Sequence, residues 1–104
     1  MIAEGGLTGA DGLFRVEGAL TIERVPEVLE ASVTRLAASA ERELVIDLGG
    51  LDDFDSAALG AMLEWQRRVG ATGGHITFTR LPPKLETLAR LYGVSDLLTT
   101  ASSA

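Results

Sequence analysis

Hydrophobic and polar positions follow two different periods along the chain, and each change of period marks a predicted element. Between residues 13 and 18, Phe14 and Val16 fall on one side of a two-residue period, and Arg15 and Glu17 fall on the other. This alternation is typical of a strand with one wet face. Further strands are predicted at the apolar run 44–48, at the alternating segment 75–79 and, weakly, near residues 2–7.

Helical spacing fills the intervals between the predicted strands. Val25, Leu29, Val33 and Leu36 recur at intervals of three and four, which predicts a helix over about 23–39. The same spacing predicts a second helix over about 56–71, whose Trp65 is interpreted as an aromatic side chain at the edge of the core. A third helix is predicted to begin at Pro82-Pro83 and to end at Gly93, which the apolar Val94 follows. A capped turn at residues 95–98 predicts a short fourth helix.

The predicted third helix has a core face of its own. Leu85, Leu88, Ala89 and Tyr92 are spaced at i, i+3, i+4 and i+7, which favours one buried stripe. Tyr92 is therefore expected at the edge of the core.

The order of these elements predicts an α/β fold. The segment 44–79 reads as strand, helix, strand, which favours a parallel pair. We predict a single mixed, mostly parallel sheet of four to five strands with about four helices. The 104 residues fit one domain over 1–104, with a core of about 12–98, a fraying tail at 99–104 and a radius of gyration of about 13 Å.

Composition narrows the partners and the compartment. The net charge of −6 argues against a nucleic-acid surface, because binding phosphate needs clustered Lys and Arg. There is no cysteine, so neither a disulfide nor a thiolate metal site is possible. The first residues lack a basic segment, and no apolar run approaches the ~18 residues of a membrane span. We expect a soluble, cytoplasmic protein.

Catalytic signatures are missing from the sequence. No glycine-rich phosphate loop is present, and the single histidine, His75, stands at the opposite sheet edge from the serine considered below. Asp47, Asp52, Asp53 and Asp55 cluster near one strand end, where they are interpreted as turn and cap residues rather than cation ligands. The sequence therefore predicts no enzyme, no cofactor and no metal.

The most informative stretch joins the buried strand 44–48 to the second helix. A glycine- and acid-rich loop is expected over 49–54, and the helix is expected to begin at Asp55-Ser56. Either side chain can cap that helix, which is typically worth ~1 kcal/mol. Alternatively, the Ser56 hydroxyl can accept a phosphate or form the flat centre of a protein contact, because small residues follow it.

These residues resemble the signature of STAS domains, the fold of anti-sigma factor antagonists. In that family the Ser or Thr after the aspartate is the phosphorylation and partner-docking position, which here is Ser56. The run from Leu81 to Leu98, which contains Leu-Tyr-Gly-Val, is similar to MlaB-type proteins, the small subunit of a bacterial phospholipid-transport ABC complex. The resemblance covers residues 12–98.

The resemblance implies a non-catalytic accessory subunit that binds the cytoplasmic ATPase of the transporter and reaches the membrane only through it. The alternative that it implies is an anti-sigma factor antagonist that a serine kinase controls through Ser56. Many signalling members have Ser or Thr and then Gly after the Asp-Ser pair, where this chain has Ala57 and Ala58. The expected partner-binding residues line one edge of the second helix: Asp55, Ser56, Ala57, Gly60, Leu63 and Arg67.

Overall fold

Four strands form one sheet in which each strand pairs with the next one along the chain, within residues 6–100, the part of the chain that this computed structural model describes. Strand β1 (Gly6–Ala10) runs antiparallel to β2 (Leu13–Leu20). Strand β3 (Glu43–Phe54) is parallel to β2, and β4 (His75–Thr79) is parallel to β3. The predicted mixed, mostly parallel sheet is confirmed.

Three α-helices and one short 3₁₀ helix connect and follow the strands within the described residues. They are α1 (Val25–Ala37), α2 (Ala57–Gly70), α3 (Pro83–Leu91) and the 3₁₀ turn Ser95–Leu97. The radius of gyration is 12.5 Å, close to the expected value. The weak strand predicted near residues 2–7 begins at Gly6, and residues 1–5 lie outside the described part.

One face of the sheet holds the core. Phe14, Ile46 and Phe78 are register partners across three parallel strands and are 5%, 0% and 0% exposed. On the opposite face, Leu13 and His75 are exposed. The alternation read from the sequence therefore reports a sheet that buries only one of its faces.

The prediction of a loop over 49–54 is wrong, because these residues continue strand β3. Two register shifts against β2 accommodate them: Arg15 pairs with Asp47 but Glu17 with Gly50, and a second shift lies between Gly18 and Ala19. At each shift β3 has one residue more than β2, as in a β-bulge. Each bulge breaks the two-residue alternation, so the strand pattern cannot be read past Leu48.

Helices α1 and α2 are joined by a buried polar contact. Trp65 is 0% exposed, so its predicted place at the edge of the core is wrong. Its Nε1–H donates to Ser32 Oγ at 2.7 Å, and the Ser32 hydroxyl donates to the carbonyl of Leu29 at 3.3 Å. The contact satisfies the indole N–H, which a fully buried tryptophan needs.

The end of α3 confirms the predicted glycine stop and corrects the position of Tyr92. Gly93 has φ +72°, and the amide of Val94 donates to the carbonyl of Ala89 at 2.9 Å, as in a Schellman cap. Tyr92 is the C-cap with φ −90° and ψ 1° and is 59% exposed. It leaves the helical stripe because the helix ends at Leu91.

The segment after the 3₁₀ turn lies along the edge of β4 that does not pair with β3. The amide of Phe78 donates to the carbonyl of Thr99 at 2.9 Å, and Phe78 also forms a parallel bridge with Thr100. Gln66 on α2 binds the carbonyl of Leu97 and the amide of Thr99, at 2.9 and 2.8 Å. Residues 101–104 of the tail expected to fray lie outside the described part.

Candidate functional site at the start of helix α2

The Asp55-Ser56 turn lies at the carboxyl end of the two central parallel strands. Leu20 and Phe54 are register partners at that end, and α2 begins at Ala57. The carboxyl edge of parallel strands is where open α/β sheets usually bind their ligands. The bulged extension of β3 places the turn there.

Asp55, not Ser56, caps the helix. Asp55 Oδ1 accepts the amide N–H of Ala57 at 2.9 Å, and Oδ2 accepts the amide N–H of Ile22 at 3.1 Å. Both carboxylate oxygens of Asp55 are therefore engaged inside the molecule. Asp55 therefore shapes this surface, and its contact with a partner stays a prediction.

Ser56 occupies the N-cap position, but its hydroxyl makes no capping hydrogen bond. The residue is half-buried at the surface, and no described residue pairs with its side chain. Because Asp55 already satisfies the first amide of the helix, the Ser56 hydroxyl remains available to a partner molecule or a phosphate.

The next turn of α2 leaves open space beside Ser56. Ala57 is half-buried and Gly60 is exposed. A Cβ added at Gly60 would meet no described atom within 4 Å apart from its chain neighbours and the nearby backbone of α2. Another backbone can therefore approach α2 closely at this point, since no side chain stands in the way.

Leu63 and Arg67, two further predicted contact residues, already make contacts within the chain. Leu63 is half-buried and packs against the core. Arg67 is exposed, but its guanidinium binds Glu64 through two bonds of 3.0 and 2.6 Å. Arg68 Nε binds the same carboxylate at 2.7 Å. The hydrogen bonds from Arg67 and then Arg68 lower the pKa of Glu64 from 4.5 to about 2.

Sequence reasoning missed one residue near this turn. Ile22, in the loop after β2, is 67% exposed, and its backbone is bound to Asp55. The signal was a large apolar residue outside the helical stripe, which sequence alone cannot distinguish from a loop residue that folds inward.

Residues 6–100 contain no assembled metal site. No group of three or more His, Asp or Glu side chains within that range could hold a metal ion. His75, at the first residue of β4, has Nδ1 3.6 Å from Glu43 Oε1, and both side chains are exposed. Across the described helices, none has the length and apolarity to span a bilayer.

A family model described as "Mlab, STAS domain" matches residues 5–99. The match covers nearly the whole chain, and the chain belongs to the STAS domain family. A search of curated proteins found no match.

Solved structures of anti-sigma factor antagonists share this fold. The unphosphorylated form of SpoIIAA is 17% identical, with a TM-score of 0.71 over 96% of this chain and 90% of that chain. The phosphorylated form of the Bacillus SpoIIAA is also 17% identical, with a TM-score of 0.66 over 96% of this chain and 93% of that chain. A STAS domain protein from Planctomyces limnophilus is 14% identical, with a TM-score of 0.73 over 98% of this chain and 92% of that chain. At these identities the likeness describes the fold.

Proposed function

We propose that the chain is a non-catalytic accessory subunit of an ABC transporter that moves phospholipid. It binds the cytoplasmic ATPase of the transporter through the start of α2 and supports assembly and activity of the complex. The observation that carries this proposal is the free Ser56 hydroxyl beside the open space at Gly60. The resemblance of residues 81–98 to MlaB-type subunits and the name of the matching family model support the choice of partner.

The geometry suits a protein partner better than a small ligand. Ser56 and the exposed Gly60 lie about one helical turn apart at the start of α2, and these two small residues form a strip, called here the Ser56 strip. A strip without long side chains lets a partner element pack close to the helix. Docking there requires no rearrangement of the core.

The test is purification of the tagged chain from the native membrane, with the bound ATPase identified by mass spectrometry. Ser56→Arg fills the strip and is expected to abolish capture of the ATPase. Ser95→Arg, the same change at an exposed serine in the 3₁₀ turn, is the matched control and should capture it normally. Equal capture by both variants would contradict the proposal.

A second function is an anti-sigma factor antagonist controlled by phosphorylation of Ser56. SpoIIAA, which shares the fold, is known in unphosphorylated and phosphorylated forms, and the Ser56 hydroxyl is unpaired within the described residues. Exposed Asp52 and Asp53 lie close in sequence to Ser56, and their charge disfavours a phosphate there.

Intact-mass analysis separates the two functions. Incubation with ATP and an anti-sigma factor kinase from the same genome should add one phosphate to the wild-type chain and none to Ser56→Ala if the second function holds. The transporter function predicts no transfer to Ser56 together with capture of the ATPase.

A further inference from the structure

Ile22 is a large apolar side chain exposed beside the Ser56 strip. It is 67% exposed and follows Leu20, whose register partner is Phe54. The loop after β2 and the turn before α2 thus leave the sheet side by side.

A single carboxylate links this loop to the turn. Asp55 accepts the amide of Ile22 through Oδ2 at 3.1 Å and the amide of Ala57 through Oδ1 at 2.9 Å. The backbone of Ile22 is therefore held at a set position relative to the first turn of α2. A contact residue whose backbone is held in this way loses little backbone freedom on binding, which favours affinity.

Three carboxylates lie close to Ile22 in the chain or in the sheet register, and the nearby cation Arg24 is half-buried and paired with Glu27. Glu23 follows it directly, and the register of the sheet places Asp53 beside Ala19. Glu23, Asp52 and Asp53 are exposed, and within residues 6–100 none of them belongs to an ion pair. A partner that covers Ile22 must therefore approach an acidic rim.

We propose that Ile22 is the apolar anchor of the docking surface and that Asp55 is its positioning residue. The proposal rests on the function proposed above and names the chemistry of the partner. That chemistry is a protein surface with an apolar pocket for Ile22, bordered by Lys or Arg that face Asp52 and Asp53. Binding energy in such interfaces concentrates on a few desolvated apolar or aromatic residues, and rim charges mainly set the association rate.

The first experiment measures binding to the purified ATPase subunit and, in parallel, to the anti-sigma factor kinase, by calorimetry. Ile22→Ala should weaken the wild-type affinity by about tenfold to a hundredfold, and Ile22→Glu should weaken it further. Leu13→Ala and Leu13→Glu are matched controls, because Leu13 is 65% exposed at the start of β2, whereas Ile22 follows the end of that strand. Both controls should bind within about twofold of wild type.

The outcomes separate this inference from the proposed function. If Ser56→Arg loses binding while Ile22→Glu retains wild-type affinity, the anchor is wrong and docking at Ser56 stands. If both variants bind normally, both proposals are wrong. A wild-type chain that binds neither protein contradicts both as well.

The positioning role has its own measurement. In Asp55→Asn the amide group cannot accept both backbone N–H groups through two oxygens, so hydrogen exchange at the Ile22 amide should accelerate by about tenfold or more. Affinity should fall although Ile22 is still present. Unchanged exchange and affinity would overturn the role of Asp55, and a thermal scan confirms that the variant is folded.

The acidic rim is tested by association kinetics. Asp52→Asn/Asp53→Asn should lower the association rate and flatten its dependence on salt, with little effect on dissociation. A faster association, or an unchanged salt dependence, would contradict a basic border on the partner.

Discussion

Two serines in this chain occupy opposite environments. Ser32 on α1 is 1% exposed and bonds both to Trp65 Nε1 and to the carbonyl of Leu29. Ser56 is half-buried at the start of α2, and its hydroxyl makes no capping bond. The Ser32 hydroxyl is used in hydrogen bonds within the fold, whereas the Ser56 hydroxyl remains available for other contacts.

The difference comes from what the neighbouring residues need. The indole N–H of Trp65 is buried between two helices and requires an acceptor, which Ser32 provides. At the start of α2, Asp55 already accepts the amide of Ala57, so the helix does not require the Ser56 side chain. We expect changes at Ser32 to alter stability and changes at Ser56 to alter binding.

Ser32→Ala should produce the largest loss of stability. It leaves the Trp65 N–H buried without an acceptor, which costs about 1–3 kcal/mol in the free energy of unfolding. Urea denaturation measures the change. In the Trp65→Phe background Ser32→Ala should cost less than it does in the wild-type chain, because no N–H is then left without an acceptor. A loss below about 0.5 kcal/mol for Ser32→Ala would contradict the assigned role.

Gly60→Ala should stabilise the isolated chain by about 1 kcal/mol, since alanine favours a helix and the added Cβ meets no described atom within 4 Å apart from its chain neighbours and the nearby backbone of α2. Gly60→Leu should keep the fold and weaken binding of the partner. Gly70, also in α2 and also open, provides the control Gly70→Leu, which should bind normally. A destabilised Gly60→Ala would show that the space is not open.

Ser56→Ala should change the free energy of unfolding by no more than about 0.5 kcal/mol, the range of surface substitutions without special contacts. The same urea experiment measures it beside Ser32→Ala. A loss above about 1 kcal/mol would mean that the hydroxyl caps the helix after all.

The smallest effect concerns the outward face of α2 in acid. The two arginines lower the pKa of Glu64 from 4.5 to about 2, so the stabilisation by this carboxylate is complete above pH 4.5 and is lost as the pH falls through about 2. A ¹³C titration of the Glu64 carboxyl should find its midpoint near 2. Arg67→Ala should raise the midpoint, while Arg90→Ala on α3 should leave it in place; a wild-type midpoint at 4.5 would contradict the pairing.

Sequence patterns predicted the elements whose defining residues lie close together along the chain. The helical spacing of α2 and the glycine stop at Gly93 depend on residues within one or two turns of each other. The extension of β3 to Phe54 does not, because its bulges exist only in pairing with β2. The contact between Ser32 and Trp65 joins residues that are 33 positions apart, and no periodicity encodes it.

The candidate site divides in the same way. The position of Ser56 at a helix start was readable because a polar turn precedes a helical pattern. The engagement of Asp55 with Ile22 was not, since it depends on the end of β2 lying beside the end of β3.

The central claim is that Ser56 serves binding and not folding. Its most direct test measures Ser56→Arg twice: the free energy of unfolding by urea, and the affinity for the purified ATPase subunit by calorimetry. We predict an unfolding free energy within about 0.5 kcal/mol of wild type, with binding reduced at least a hundredfold. Wild-type affinity, or a loss of binding that merely follows a loss of the fold, would contradict the claim.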